Sequence, residues 1–174
     1  AAYPNAAVWG CKVVDARNPA LLQHVDLHLC PPRDVPQMPD TPQYRRRFSL
    51  SRLQHQVLGG WQFEYCRPCT TVTGCVHLLR REALERSGGF DIRFTPSQFD
   101  DFEHDLRLNR AAQEVVYQGH LTVRHAKSSG RGSRTDHKEN ARALANQYKL
   151  HQLFTDEEVR DMRDRLRDRL RQDL

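Results

Sequence analysis

The sequence has few apolar residues and no long apolar run. Hydrophobic residues make up 38% of its 174 residues, aromatic residues make up 8%, and the mean hydropathy is −0.78. No segment approaches the ~20 consecutive apolar residues that span a bilayer, so we expect no transmembrane helix. A chain of this length normally folds as one domain and buries roughly 70% of its unfolded surface. We therefore expect a core drawn from a subset of segments, with charged helices and loops around it.

Cysteine is also scarce, and its odd count argues against a disulfide framework. The five cysteines are unevenly spaced, at Cys11, Cys30, Cys66, Cys69 and Cys75. This pattern is typical of a reduced, cytoplasmic protein with free thiols. The chain opens without a signal-peptide pattern or an initiator methionine, so we expect a piece excised from a longer protein.

Charge of one sign is not concentrated in any segment. The chain has 27 Lys and Arg against 22 Asp and Glu, a net charge of +5, and its pI is about 9.1. This excess favours anionic partners such as phosphates. Because basic and acidic residues are mixed along the chain, we expect no nucleic-acid binding.

The first half of the chain predicts two strands and a short helix. The apolar, partly β-branched segment 6–14 predicts a buried strand. Five prolines in 29–42 predict an irregular loop, and 45–58 is compatible with a basic helix. Alternating Val and Thr over 70–79 predict a second strand, and 81–86 predict a helix that ends at the following glycine pair.

The second half predicts a helix, two strand fragments and a polar loop. Residues 100–112 predict a helix with Phe102 and Leu106 on one face and carboxylates at its start, where the helix dipole favours them. Residues 114–117 and 121–123 predict two strand fragments divided by Gly119. The polar segment 127–135 predicts a loop.

Two helices are predicted at the end of the chain. Their starts have capping-box spacing, Asp136 with Glu139 and Thr155 with Glu158. The apolar positions predict that the first helix buries Ala141, Leu144, Ala145 and Tyr148. The second helix aligns an apolar stripe of Val159, Met162, Leu166 and Leu170. Because the rest of that helix is mostly Arg and Asp, we expect only this narrow stripe to dock, on the body of the chain or on a partner.

Four blocks occur in an order that is more specific than any one of them. They are 73–91, from Thr73-Gly74-Cys75 to Gly88-Gly89-Phe90-Asp91; 100–108, Asp-Asp-Phe-Glu-His-Asp-Leu-Arg-Leu; 115–117, Val-Val-Tyr; and 125–130, His-Ala-Lys-Ser-Ser-Gly. Their order resembles the second half of family 2 glycosyltransferases, in which a Gly-containing strand, a Gly-Gly-Phe-Asp turn, an acidic pair and an Arg-bearing helix precede a strand and a His-Ser-Gly segment. The resemblance covers about residues 1–130.

The resemblance implies an α/β fold of partial GT-A type. We expect a small mixed sheet built from the regions of Val8, Val72 and Val115, with flanking helices and a C-terminal helical pair. Residues 1–135 would be the C-terminal, acceptor-side half of a GT-A domain, and 136–174 a helical extension. The implied reaction is the inverting transfer of a sugar from a nucleotide-sugar donor to a hydroxyl of a glycan or other acceptor.

The acidic block supplies the implied catalytic residues. Asp101 matches the family's general base, which takes the acceptor's hydroxyl proton. Asp100 occupies a position usually held by Glu and would support it. Glu103 and Arg107 match substrate-binding positions and are spaced as an i,i+4 ion pair. Without the resemblance, the block would indicate only an acidic helix start with a solvated ion pair.

The remaining implied site residues lie around this block. His125 would contact a divalent metal or the donor diphosphate, although a histidine at a strand end is also an ordinary polar loop residue. Lys127 and Ser128 would bind phosphate oxygens, or would belong to a flexible loop. Gly74 would let the backbone approach the acceptor, or would mark a bulge.

The sequence contains no Asp-x-Asp motif. The nearest pattern is 101–103, which lies in a predicted helix where residues i and i+2 do not face each other. We therefore expect the nucleotide pocket and the Mg²⁺ or Mn²⁺ site to depend on a donor half that precedes residue 1. The chain by itself is then expected neither to bind a nucleotide sugar tightly nor to turn one over.

Two alternatives remain open from the sequence. Cys66 and Cys69 could join Cys75 and His77 in a zinc site, but a bare CxxC is a weak signal and we do not expect zinc there. The other alternative is a non-catalytic interaction module whose C-terminal helices dock a partner or a second copy of the chain.

Overall fold

The computed structural model describes residues 3–30, 60–95, 98–126 and 137–173. It is a mixed α/β structure with one sheet and flanking helices. The strands are β1 (Ala6–Asp15), β2 (Leu22–His24), β3 (Cys66–Cys69), β4 (Leu78–Leu79) and β5 (Glu114–His125). The helices are α1 (Arg81–Ser87), α2 (Asp100–Arg110), α3 (His137–Leu153) and α4 (Asp156–Gln172).

The sheet is centred on β1, which confirms the first predicted strand. Its path is β2-β1-β5-β3, with β4 also paired to β1. β1 and β5 are parallel and the other pairs are antiparallel. The apolar sequence of β1 is explained by this position, because eight of its ten residues are buried and a central parallel strand has no solvent face.

The two strand fragments predicted around Gly119 form one continuous strand, β5. The register of its pairing with β1 shifts around Gly119: Cys11 lies opposite Gln118, whereas the next residue, Lys12, lies opposite Thr122. The Gly119 amide donates to the Tyr65 carbonyl at 2.8 Å. The glycine therefore marks a bulge that bends the strand without ending it.

We predict that Gly119→Ala destabilises the protein by about 1–3 kcal/mol, the usual cost of overpacking. A Cβ at residue 119 would lie 1.9 Å from the Phe63 carbonyl oxygen, which belongs to the backbone and cannot rotate away. Gly89→Ala is the matched control, because nothing lies within 4 Å of a Cβ at that position. Urea denaturation measures both, and equal stability of the two variants would contradict the prediction.

The prediction of a strand over 70–79 is wrong for residues 70–77. Only Leu78–Leu79 is a strand there, and Thr71 forms an isolated bridge with Leu27. The Val72 side chain instead sits over Gly10, where an added Cβ would lie only 2.4 Å from the valine Cβ. The Thr71 hydroxyl and the Val72 amide both donate to Asp105 of α2, so contacts with a distant helix override the local β preference.

The short helix after this segment and the helix of the acidic block are confirmed. α1 ends at Gly88, whose φ of 72° is a conformation that glycine adopts without strain. α2 begins at Asp100 and buries Phe102 and Leu106 as predicted. Its first turn carries three carboxylates, which the helix dipole stabilises.

The predicted buried face of α3 is wrong, whereas the start of α4 is confirmed. Tyr148 is 55% exposed and the two alanines of the predicted face are also exposed. Among the described side chains of α3, those of Asn146 and Leu150 are buried. The Asn146 amide donates to the carbonyls of Phe94 at 2.9 Å and Gln98 at 3.0 Å, which turns this face of the helix inwards. Leu144 and the Asp136–Glu139 capping box lie outside the described side chains. The capping box at Thr155 is complete, with both of its hydrogen bonds formed.

The apolar stripe of α4 packs inside the chain. Val159 and Met162 are buried in one cluster with Phe102 and Leu106 of α2 and with residues of α3 and the loops. Leu166 and Leu170 remain partly exposed. The predicted domain boundary at residue 135 lies outside the described residues and stays a prediction. None of the described helices is both long enough and apolar enough to cross a bilayer.

Candidate functional site

The start of α2 brings Asp101 and Gly74 together. The Gly74 amide donates to Asp101 Oδ2 at 2.7 Å, and the Phe102 amide donates to Oδ1 at 2.8 Å. A Cβ at Gly74 would lie 2.8 Å from Asp101 Oδ2 and 3.1 Å from its Cβ. A side chain at residue 74 would therefore crowd the carboxylate, and the glycine leaves room for it.

The surroundings of Asp101 raise its pKa above the ordinary value of an aspartate. Burial is the largest cause, and the neighbouring charges of Asp100 and Asp105 add to it. The two backbone N–H groups lower the pKa, but they do not outweigh burial. A carboxylate whose pKa is raised is a stronger base once it is ionised, so this environment suits proton abstraction.

Glu103 and Arg107 form the predicted i,i+4 ion pair. Arg107 Nε donates to Glu103 Oε1 at 2.7 Å, and its other nitrogens donate to the carbonyls of Ser87 at 2.5 Å and Gly89 at 2.7 Å. The guanidinium thus ties α2 to the turn that ends α1. Glu103 Oε2 is buried and has no hydrogen-bond partner within the described part of the chain. Substrate binding by either residue stays a prediction.

His125 ends β5 and contacts β2 through Gln23. The Gln23 amide nitrogen lies 3.0 Å from both Asp15 Oδ2 and the His125 carbonyl oxygen, so it donates to two acceptors. Gln23 Oε1 therefore lies 2.9 Å from His125 Nδ1, which must carry a proton. In neutral His125 the lone pair is then on Nε2, the arrangement of a histidine whose second nitrogen is free to bind a metal.

We predict that neutral His125 is the Nδ1-protonated tautomer. Its imidazole nitrogen-15 shifts should show a protonated Nδ1 and an unprotonated Nε2. Gln23→Leu removes the acceptor and should shift the population towards the other tautomer, whereas His120→Ala, a change at an exposed histidine of the same strand, should leave the pattern unchanged. A protonated Nε2 in the unaltered protein would contradict the tautomer.

Asp101 and His125 belong to two separate sets of contacts. Asp101 contacts Gly74, and the residue after Gly74, Cys75, lies near Cys11 of β1. Burial is the main cause that raises the pKa of Cys11, and the charge of Cys75 adds to it. His125 pairs with Asp15, four residues further along β1, which is on the order of 13 Å at the rise of a strand. No hydrogen bond joins the two groups within the described ranges. The convergence of base and histidine in one cleft therefore stays a prediction.

The four residues of the alternative zinc site, which the sequence did not favour, do not form one ligand group. Cys66 and Cys69 lie three residues apart in β3, so their side chains point to opposite faces of the sheet. Within the described residues, the potential metal ligands around His77 are instead His104 and Asp105. Residues 104 and 105 lie in the acidic block, for which the sequence predicted roles only at Asp100, Asp101, Glu103 and Arg107. They lie 27 and 28 residues after His77, so no local spacing in the sequence predicts that the three side chains meet.

The acidic cluster at the start of α2 is the main candidate site. It combines the Asp101 carboxylate, the Gly74 amide that fixes it, and the Glu103–Arg107 pair that follows in the same helix. Lys127 and Ser128, the predicted phosphate ligands, lie outside the described residues. Comparisons of the chain with protein-family models, curated proteins and solved structures found no match.

Proposed function

We propose that the chain forms the acceptor side of an inverting glycosyltransferase of the GT-A, family 2 type. The observation that carries this proposal is the environment of Asp101. Its carboxylate lies at a helix start, is held by the Gly74 amide, and has a raised pKa. The order of sequence blocks that resembles the second half of that family supports the same conclusion.

In the proposed reaction, Asp101 acts as the general base. The acceptor's hydroxyl oxygen forms a bond to the anomeric carbon of the donor sugar while its proton passes to the carboxylate. The bond between that carbon and the diphosphate breaks, and the diphosphate leaves with the bonding electrons. Each oxygen of Asp101 accepts one N–H from the backbone, so each keeps a lone pair for the incoming proton.

The neighbouring residues would orient the acceptor. Glu103 Oε2 has no hydrogen-bond partner among the described groups but is buried, so a second hydroxyl of the substrate would reach it only after the side chains around it move. Asp100 adds negative charge that raises the pKa of Asp101. Arg107 would act mainly by fixing the 87–89 turn against α2, because three of its N–H groups already donate within the chain.

His125 would be one ligand of the Mg²⁺ or Mn²⁺ ion that the resemblance implies, with oxygen ligands from the donor half completing the shell. The hydrogen bond from Nδ1 to Gln23 leaves Nε2 of the neutral imidazole with its lone pair, which is the atom that would bind the ion. Such an ion would neutralise the charge that develops on the leaving diphosphate. Lys127 and Ser128 would bind oxygens of the same diphosphate.

Release of nucleoside diphosphate by the full-length protein tests this function. A panel of nucleotide sugars with Mn²⁺ should contain one donor from which the diphosphate is released only when a hydroxyl acceptor is present. The 174-residue chain titrated with the same nucleotides and Mn²⁺ should show no tight binding. Absence of acceptor-dependent release across the panel would contradict the proposal, as would tight nucleotide binding by the chain itself.

The interaction-module alternative is not proposed, because no observation favours it. Its main support was the apolar stripe of α4. Val159 and Met162 of that stripe are buried against the body of the chain. Self-association through the C-terminal helices stays a prediction.

A further inference from the structure

Three potential metal ligands meet in the interior, apart from the residues assigned to glycosyl transfer. One ligand atom from each of His77, His104 and Asp105 lies within 4.8 Å of the other two. Their side chains are 4%, 0% and 0% exposed. His77 immediately precedes β4, whereas the other two residues lie in α2. The cluster therefore connects two elements that are distant in sequence.

Asp105 is oriented so that one of its oxygens faces both histidines. Its Oδ2 accepts the Thr71 hydroxyl at 2.7 Å and the Val72 amide at 3.2 Å. Its Oδ1 lies 2.9 Å from His77 Nε2 and 3.9 Å from His104 Nδ1. The second distance is too long for a hydrogen bond. The carboxylate is thus anchored on one side and directed at the imidazoles on the other, as in metal sites with a fixed outer shell.

His104 Nε2 lies 3.2 Å from the Ser87 hydroxyl, which also lies 3.0 Å from the Gly88 carbonyl oxygen. When the hydroxyl proton is donated to that carbonyl, Nε2 donates to the hydroxyl oxygen, and the lone pair of neutral His104 is on Nδ1. This Nδ1 is buried and finds no hydrogen-bond partner within the described ranges.

In this tautomer two electron-rich atoms lie near each other in the interior, because His104 Nδ1 and Asp105 Oδ1 are 3.9 Å apart and Nδ1 carries no proton. A buried polar atom left in this state costs roughly 1–3 kcal/mol. A cation bound between the two atoms removes this cost, because both become ligands.

We propose that His77, His104 and Asp105 bind one Zn²⁺ ion. Zinc–nitrogen and zinc–oxygen bonds of about 2.0–2.2 Å place tetrahedral ligands about 3.3–3.5 Å apart. The observed separations of 2.9 and 3.9 Å lie on either side of this value, so small side-chain rotations complete the site. Two imidazoles and one carboxylate match zinc, whereas Mg²⁺ prefers oxygen ligands.

Zinc binding changes the protonation of one histidine. Without metal, His77 Nε2 donates its proton to Asp105. To bind zinc, Nε2 must present a lone pair, and its proton moves to Nδ1 or to solvent. Three protein ligands leave the fourth position for water. The centroid of the Phe90 ring lies 5.7 Å from that of His77 and 5.3 Å from that of His104, so an aromatic ring packs beside the cluster.

The site is separate from the metal position proposed at His125. It includes neither His125 nor any cysteine, and its existence does not depend on glycosyl transfer. By linking the segment before β4 to α2, a bound ion would fasten the helix that carries Asp101. Zinc that binds without measurable transfer would support this site and leave the catalytic proposal to its own test.

Zinc titration of the 174-residue chain, after removal of metal with a chelator, tests the site. Competition with a chromophoric zinc chelator should give one ion per chain, and the thermal unfolding midpoint should rise with zinc concentration. His104→Ala should weaken binding at least tenfold. His120→Ala changes an exposed histidine, and Cys75→Ser changes an exposed thiol; both variants should bind as the unaltered chain does.

X-ray absorption of the zinc-loaded, unaltered chain keeps the test valid if His104→Ala does not fold. The expected shell contains two imidazole nitrogens and no sulfur. Substoichiometric binding, sulfur in the shell, or a folded His104→Ala variant of unchanged affinity would each overturn the proposal.

Discussion

Asp101→Asn is expected to lower the turnover rate of the full-length protein by 10²- to 10⁴-fold, the usual contribution of a general base. An amide of nearly the same shape can still accept the Gly74 N–H, but it cannot take the acceptor's proton. The Michaelis constant for the donor should change little, because in the proposed reaction this carboxylate contacts the acceptor and not the donor. Acceptor-dependent release of nucleoside diphosphate measures both parameters.

The control for this variant is an exposed carboxylate on the neighbouring helix. Among the residues that the structure describes, Glu85 of α1 pairs with Arg81 alone, and both side chains are more than half exposed. Glu85→Gln should therefore retain the original rate. If Asp101→Asn also retained the rate, Asp101 would not be the base.

The pH dependence of the rate should follow the same carboxylate. Because burial and the neighbouring charges raise the pKa of Asp101, the rate should fall on acidification at a higher pH than an ordinary aspartate would give. The raised pKa of Asp101 also makes the free energy of unfolding depend on pH. A raised folded-state pKa means that folding favours the protonated form, so the stability of the unaltered protein relative to Asp101→Asn decreases as pH rises through that pKa.

Asp26→Ala is expected to destabilise the protein by about 3 kcal/mol. The side chain is 3% exposed and accepts hydrogen bonds from Arg67 at 2.6 Å, His28 at 2.7 Å and the Tyr65 hydroxyl at 2.7 Å. Removing one partner of a buried ion pair costs about 3–5 kcal/mol. We expect the lower end of that range, because Arg67 remains 41% exposed and regains some hydration. Urea denaturation at neutral pH measures the loss.

The pH dependence of this loss distinguishes the ion network from simple packing. Burial by itself raises the pKa of Asp26, but the hydrogen bond and charge of His28 and the charge of Arg67 outweigh it and hold the pKa below the ordinary value. The stabilisation by ionised Asp26 is therefore fully present above the pKa of an unfolded aspartate, about 3.9. It is lost as pH falls through the lower pKa of Asp26 in the folded protein. Asp161→Ala, which breaks an exposed pair with Arg165, should cost less than about 1 kcal/mol. A loss that stays constant into acid would indicate packing alone.

Local signals in the sequence were sufficient for several elements. The apolar run of β1, the glycine that ends α1 and the carboxylates that begin α2 each fix an element through neighbouring residues. The capping box at Thr155 likewise fixes the start of α4. The i,i+4 spacing of Glu103 and Arg107 was enough to predict their ion pair.

The errors arose where distant contacts decide the structure. The segment 70–77 has the composition of a strand, yet it is held by Asp105, more than 30 residues away. The face of α3 is decided by the hydrogen bonds of Asn146 to the loop before α2, which apolar periodicity does not register. The His77 cluster depends in the same way on the packing of α2 against the segment before β4, and its residues show no metal-binding spacing.

The most direct test of the central claim is a carbon-13 NMR titration of the Asp101 carboxyl carbon in the 174-residue chain. The Asp101 resonance should titrate above the ordinary aspartate range, and the Gly74 amide resonance should change with the same midpoint, because that amide donates to the carboxylate. The Gly74 transition should disappear in Asp101→Asn. A midpoint at or below the ordinary aspartate value, or a Gly74 amide that does not respond, would contradict the account of Asp101 as a base held by glycine.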